Sequence, residues 1–381
     1  MVTRHKHVLL VLGWYNRGYY RGISRYAREH HWHVTTDMVH NALVPWGWQG
    51  DGVLSVLSNR RDLADFMQTL SVPKVDLGLT MPELNIPRVT PDNEAIGRMV
   101  AEYFLERGYR NYLCIDRWDA ATERERRAGF VEALNAKKIE SQLHSFTERG
   151  NPRFASWAER QSWLAGCISK LPKPLAVFAQ HDTLAFDVVE AANNCGIRVP
   201  EEIALIGSEN DEMACECCAV PLSSVDCNME EVAYRGAALL DRMMNGESMP
   251  AAQVTRIAPV GIVDRKSSNM PAIRNLKAAM AMNFIRENGH KPIDITDVCT
   301  HVKLSKAGLQ RAFLQELHQS PGAVLRAHRL LHIKKMLAET DKNLNEIAEA
   351  SGYGSSIALC NAFRREFNST PGEYRKHCRG E

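Results

Sequence analysis

Two rhythms of apolar and polar positions divide this chain. Over residues 7–262 short apolar runs alternate with longer stretches of three-to-four spacing. The short runs are His7–Leu12, Gly52–Leu57, Lys74–Leu77, Tyr112–Ile115, Ala176–Ala179 and Ile203–Ile206, and they predict short buried strands. The periodic stretches Tyr19–His30, Glu94–Arg107, Arg124–Ala136, Thr183–Asn194 and Met229–Asn245 predict helices, with stops at Gly108, Gly196 and Pro200. Strand–helix alternation of this kind implies a parallel α/β sheet architecture.

After a polar, aperiodic segment from Asp264 to Pro271 the rhythm becomes helical. Helices are predicted over Ala272–Asn288, Ile295–His301, Ser305–Leu317, Ala323–Leu337, Leu344–Ala350 and Ser355–Phe367. The expected division is a domain over residues 1–265, a linker over 266–274 and a second domain over 275–381. Within the second domain one pattern occurs twice. Leu304–Phe313 runs on to Ser320-Pro321-Gly322, and fifty positions later Ser355–Phe363 runs on to Thr370-Pro371-Gly372. A short apolar helix precedes each copy, so the two read as helix-turn-helix units at about residues 293–317 and 344–367.

Charge sharpens that reading. The formal net charge is only +2, yet residues 272–381 hold 17 Lys+Arg against 11 Asp+Glu, leaving the rest of the chain acidic. A basic helical module behind an acidic α/β part suits a reader of double-stranded DNA. In the first copy Leu304, Leu309 and Phe313 take inward positions, and Ser305, Lys306, Gln310 and Arg311 take outward ones. Gln can read adenine and Arg guanine through paired hydrogen bonds. In the second copy Leu359, Phe363 and Phe367 face inward, leaving Ser355, Ser356, Asn361, Arg364 and Arg365 outward.

Other chemistries find little support. No phosphate-binding glycine loop, nucleophile elbow or metal-binding helix is present, so no enzyme activity, cofactor or metal is expected. The apolar run Val8–Leu12 after Met1–Arg4 is too short for a signal peptide, and no stretch reaches the ~18 apolar residues of a membrane span. A soluble, cytoplasmic protein with free thiols is expected. Among ten cysteines only Cys215, Cys217, Cys218 and Cys227 cluster, and neighbouring Cys217 and Cys218 suit tetrahedral zinc poorly. A thiol sensor there is the alternative to a small-molecule sensor.

The second domain also resembles a known family. Ile347-Ala348 with Gly352-Tyr353, then Phe363-Arg364-Arg365 with Phe367, then Thr370-Pro371 with Tyr374-Arg375, is similar to the C-terminal signature of AraC/XylS-type transcription regulators. The resemblance covers about residues 272–377 and implies two helix-turn-helix subdomains entering successive major grooves. It places base-reading positions at Ala307, Gln310 and Arg311, and at Ile357, Ala358 and Asn361. Ala307, Ile357 and Ala358 are smaller or less polar than usual there, which implies fewer polar base contacts, with thymine methyls as the substitute. Most direct base readout is therefore expected from the first helix.

The first domain resembles LacI/GalR-type effector domains. Three segments carry this: Val89–Asn93 with Gly97; Glu125–Phe130; and Ala179–Asp182 with Val199–Gly207 and Pro221–Val225. The resemblance spans about residues 6–265 and implies a bilobed fold like periplasmic sugar-binding proteins, here expected without that family's N-terminal DNA-binding headpiece. Ligand contacts implied are Arg126, His181 or Asp182, and Glu209 or Asn210, with Trp14, Tyr15 and Arg17 after the first strand. Asp92 is either a helix cap or a ligand residue, and Trp46, Trp48 and Trp118 are further aromatics that either pack or stack. Both modules together are similar to regulators of pentose operons of the xylose type. A monosaccharide effector, a homodimer and contact with RNA polymerase are what the resemblance implies; a non-sugar small molecule or thiol oxidation is the alternative signal, and activation and repression both remain open.

Overall fold

The computed structural model describes residues 5–38, 43–58, 60–118, 120–137, 142–147, 156–250 and 253–379. Met1–Arg4, part of the start from which no signal peptide is expected, lie outside the described residues. The chain forms two compact units, Met1–Pro271 and Ala272–Glu381.

The first unit contains two sheets. β1 (Lys6–Leu12), β2 (Trp32–Thr35), β3 (Gly52–Val56), β4 (Lys74–Asp76) and β5 (Arg88–Pro91) build the first. β6 (Asn111–Asp116), β7 (Gln142–Thr147), β8 (Leu175–Ala179), β9 (Ile203–Ser208) and β10 (Ser223–Asp226) build the second. β11 (Val254–Ile257) then returns to the first sheet and β12 (Gly261–Val263) to the second. The spatial orders are β11-β5-β4-β3-β1-β2 and β12-β10-β9-β8-β6-β7. All pairings are parallel except β10–β12.

The helices of this unit are α1 (Arg17–Glu29), α2 (Arg61–Thr69), α3 (Asn93–Glu106), α4 (Ala121–Ala136), α5 (Trp157–Ser169), α6 (Asp182–Asn194), α7 (Glu212–Glu216) and α8 (Met229–Met244). They cover the sheets and close one apolar core per lobe, centred on Leu9, Val53 and Phe66 in the first and on Leu113, Val177 and Leu205 in the second. The predicted parallel architecture is thus present twice. Unforeseen are the short strands β2, β5, β7, β10, β11 and β12 and the helices α2, α5 and α7. Edge strands such as β11, with its exposed–half-buried alternation, lack a continuous apolar run.

α3 and α4 cross backbone to backbone, and this contact positions the site. A Cβ on Gly97 would lie 1.9 Å from the Arg126 carbonyl, and one on Gly129 would lie 2.0 Å from that of Glu94. Any larger residue would push α4 outward, and Arg126 with it. The chain passes between the lobes three times, after β5, after β10 and after β11. These crossings bond to one another. The Asp92 N–H donates to the Ile257 carbonyl at 2.8 Å, the Val260 N–H to Asp226 at 2.9 Å, and the Asn228 amide to Ala258 at 3.3 Å.

The second unit is helical: α9 (Leu276–Asn288), α10 (Ile295–Val302), α11 (Lys306–Leu317), α12 (Pro321–Glu339), α13 (Leu344–Ala350), α14 (Ser356–Phe367) and α15 (Pro371–Arg379). α11 and α14 begin one residue later than predicted, because Ser305 and Ser355 are N-caps. Their hydroxyl oxygens accept from the N–H groups of Gly308 and Ala358 at 3.1 and 3.2 Å. The repeat persists at the helix ends, where His318 and Asn368 take left-handed φ of 54° and 50°. Leu309 and Phe313 are fully buried in the first copy, as are Leu359 and Phe363 in the second. The latter pack with Ile333, Leu337 and Ile347, so the long α12 shares its core with the second helix pair.

The segment predicted as a linker is held down over its first half. Ser267 is fully buried, donates to the Leu205 carbonyl at 2.6 Å and accepts from the Ser223 N–H at 2.9 Å. Arg265 donates to Glu216 at 2.6 Å and to Asn210 at 3.0 Å. The polar side chains that suggested a loose connection are the ones that tie it to β9 and β10.

Candidate functional site

Between the lobes, the C-terminal ends of β8 and β9 and the first turns of α4 bring three of the expected residues together. Arg126 is 2% exposed. Its guanidinium donates to Asn93 Oδ1 at 3.1 Å, to Ser208 Oγ at 2.8 Å and to the Gln180 carbonyl, and lies 3.8 Å from Glu209 Oε1. His181 sits between two carboxylates, with Nδ1 2.7 Å from Glu209 Oε1 and Nε2 3.0 Å from Glu123 Oε1. Burial opposes the imidazolium, but Glu209 and Glu123 outweigh it and push His181 up to about 9. His181 therefore donates from both ring nitrogens at neutral pH.

Glu209 and Asn210 both have positive φ, 107° and 49°. Positive φ at a glutamate costs about 1–3 kcal/mol and persists where surrounding bonds enforce it. Here the Glu209 N–H donates to the Val225 carbonyl at 2.9 Å and the Asn210 N–H to Ser224 Oγ at 3.0 Å. The result aims the Glu209 carboxylate inward at His181 and Arg126.

The facing lobe contributes Tyr19 and Asp76. Tyr19 is buried and donates to the Leu77 carbonyl at 3.1 Å; burial first, then Glu209 and Asp76, holds its hydroxyl protonated. Asp76 accepts from Ser55 Oγ at 2.8 Å, while its second oxygen is buried without a hydrogen-bond partner. Burial, only partly offset by Ser55 and Arg88, pushes Asp76 up to about 7. Trp14 meets Tyr19 edge to face at 6.1 Å, and Trp118 meets His181 at 5.4 Å.

The other expected residues lie outside this cluster. Asp92 caps α3 by accepting from the Ala95 N–H at 3.0 Å. Asp182 accepts from Ser224 Oγ at 2.6 Å and from the Asp211 N–H at 2.7 Å, so both its oxygens are bound within the lobe. Asn210 accepts from Arg265. Tyr15, 62% exposed, lies against Tyr20, and Arg17 pairs with Glu212. Both line an outer groove of about 970 Å³ that reaches Glu209. Trp46 packs edge-on against Phe66, and Trp48 packs beside the first-lobe core.

Sequence reasoning missed Glu123, Ser208, Gln180, Asn93, Tyr19 and Asp76. A weak signal existed for Gln180 and Ser208, since ligands bind beyond the carboxyl ends of strands in open α/β sheets. Glu123 gave none, because a first-turn glutamate also reads as a partner for the helix dipole.

In the second unit the structure places Lys306, Ala307, Gln310 and Arg311 on the exposed side of α11, beside the exposed cap Ser305. On α14, Asn361, Arg364 and Arg365 are exposed and Ser356 is half-buried. The buried backs and exposed fronts give both helices the form of a groove reader. Of the clustered cysteines, Cys215, Cys218 and Cys227 are buried and Cys217 is exposed. Burial pushes the three buried thiols up, Cys227 to about 12, which disfavours thiolate chemistry at those three. Among the described residues no cluster could hold a metal ion and no helix is long and apolar enough to cross a membrane.

Comparison with known proteins matches residues 101–268 to the periplasmic binding protein-like domain family and residues 298–377 to a helix-turn-helix domain family. The xylose operon regulatory protein of Escherichia coli (strain K12) is 25% identical over 376 residues, covering 95% of this chain and 94% of the relative. That of Haemophilus influenzae is 25% identical over 339 residues, covering 86% and 85%. The solved structure of the xylose-binding transcription activator XylR superposes with a TM-score of 0.72 at 24% identity, covering 99% of each chain, and shares the fold.

Proposed function

We propose that this chain, which joins a periplasmic-binding-protein-like domain to an AraC-type helix-turn-helix domain, is a sugar-responsive transcription regulator. It binds a monosaccharide between the lobes and double-stranded DNA through α11 and α14. It acts as a homodimer that activates a pentose operon of the xylose type, in contact with RNA polymerase.

The observation that carries this reading is the interlobe cluster. Glu123 and Glu209 are offset by His181 and Arg126, so the site is polar yet nearly neutral. Such a site suits a ring rich in hydroxyls, which both donate to carboxylates and accept from guanidinium, with Trp14 and Trp118 at hand for its C–H faces. The relatives named as xylose operon regulatory proteins support the same class. Ligand can alter DNA reading only through its differential affinity for two arrangements of the lobes.

The test is calorimetric titration of the purified protein with pentoses and hexoses, followed by DNA binding with and without the sugar that binds. Saturable heat with one monosaccharide and a shift in DNA affinity are expected. Absence of binding to every monosaccharide would sink sugar sensing while leaving DNA binding to be judged by itself.

A further inference from the structure

The two recognition helices present different surfaces at equivalent positions. On α11 the exposed first turn carries Lys306 and the small Ala307, followed by Gln310 and Arg311, and its exposed large apolar side chain, Leu314, comes two turns later. On α14 the order is inverted. Ile357 is 72% exposed, Ala358 beside it is also exposed, and the charged side chains Arg364 and Arg365 come two turns later. The Ser355 cap fixes the start of α14 by accepting from the Ala358 N–H at 3.2 Å, which holds Ile357 and Ala358 at its outward tip. Leu359 and Phe363, fully buried on the opposite side, prevent the helix from turning Ile357 inward.

A large β-branched side chain at the tip of this helix is left 72% exposed. It also gains nothing for helix stability, since isoleucine has only moderate helix propensity. The charge around it identifies the partner: Arg364 and Arg365 flank the same exposed side, in a segment of net positive charge. Basic side chains positioned to meet phosphates leave the tip facing base edges, where the apolar feature of the major groove is the thymine C5-methyl.

We propose that Ile357, with Ala358, reads thymine methyl groups, so that the half-site under α14 is recognised by apolar contact and the half-site under α11 by the hydrogen bonds of Gln310 and Arg311. This rests on DNA binding by the second unit and specifies what that unit recognises. The second half-site then contains at least one required thymine, on either strand, opposite Ile357.

The experiment uses the full chain and a duplex selected by it from a random library, with each thymine replaced singly by deoxyuridine, which removes the methyl and keeps the pairing. Failure to select any sequence would refute specific DNA binding itself. Given a selected site, replacement at one or two thymines of one half-site is expected to weaken binding roughly three- to fivefold per methyl. The Ile357→Ala variant, which retains helix propensity, should bind more weakly and lose that sensitivity. The inference is overturned if no thymine is methyl-sensitive, or if Ile357→Ala retains the same sensitivity. Arg311→Ala serves as the internal contrast: it should weaken binding while leaving the deoxyuridine effect intact.

Discussion

The interlobe cluster and the recognition helices treat their polar groups in opposite ways. In the cleft, Arg126, His181, Glu123 and Glu209 satisfy one another and lie almost wholly out of water. On α11 and α14, Lys306, Gln310, Arg311, Asn361 and Arg364 reach into solvent. A buried charge whose partner is removed destabilises the fold, whereas an exposed one costs only its contact with another molecule. The interlobe cluster is therefore part of the structural framework, whereas the exposed polar side chains of α11 and α14 form a surface laid on a framework built elsewhere.

Substitutions can break or sharpen that contrast. The largest effect is expected for Arg126→Ala, which takes the guanidinium donor from Asn93 Oδ1, Ser208 Oγ and the Gln180 carbonyl and leaves His181 as the cation beside Glu209. A loss of about 3–5 kcal/mol in unfolding free energy is expected, together with loss of effector binding. Chemical denaturation measures it, and a variant as stable as the parent would show that the cluster is not part of the framework.

The pH dependence comes next. The folded-state value of His181, about 9, exceeds its ordinary 6.5, so its stabilisation is fully present below 6.5 and is lost as pH rises through 9. Asp182, pushed up to about 8 by burial and then by Glu209, also retains a proton in the folded state and acts in the same direction. Stability should fall by on the order of 2 kcal/mol across this window. His181→Gln should flatten the profile, and an unfolding free energy that is level from neutral to pH 9 in the parent would contradict the assignment.

Arg311→Ala should weaken specific DNA binding by about 1–3 kcal/mol without moving the unfolding transition. Unchanged affinity for the selected site would remove Arg311 from the readers. The smallest effect belongs to the caps. Ser305→Ala should cost about 1 kcal/mol of stability in the second unit, because a backbone N–H loses its acceptor. Equal stability by thermal melting would mean that solvent replaces the serine at no cost.

The sequence made visible those features that repeat or run unbroken. The helix pairs were legible because Leu309 and Phe313, and fifty positions later Leu359 and Phe363, keep core spacing. The buried central strands were legible as apolar runs. β11 and β12 were not, since their residues are half-buried or exposed and their role is to close sheets at the lobe crossings. In the cleft, motif-bearing Arg126, His181 and Glu209 were recognisable, whereas Asp76 and Tyr19 enter through folding that brings distant segments together. Asp92, Asp182 and Asn210 stood in the right segments, but a helix cap engages Asp92 and hydrogen bonds from the distant Asp211, Ser224 and Arg265 engage the other two, which spacing alone does not reveal.

The three crossings between the lobes have a consequence for how the protein is made and remade. Neither lobe is a continuous stretch of chain: the first sheet lacks its edge strand until β11 has been synthesised, by which point nearly all of the second lobe has been synthesised too. The two lobes must therefore complete themselves almost simultaneously, and gene fragments encoding one lobe cannot be exchanged without unravelling the other. The helical unit from Ala272 onward is one uninterrupted segment. It is the part that recombination can transplant whole, joining an existing helix-turn-helix unit to a two-lobed unit inherited as one block.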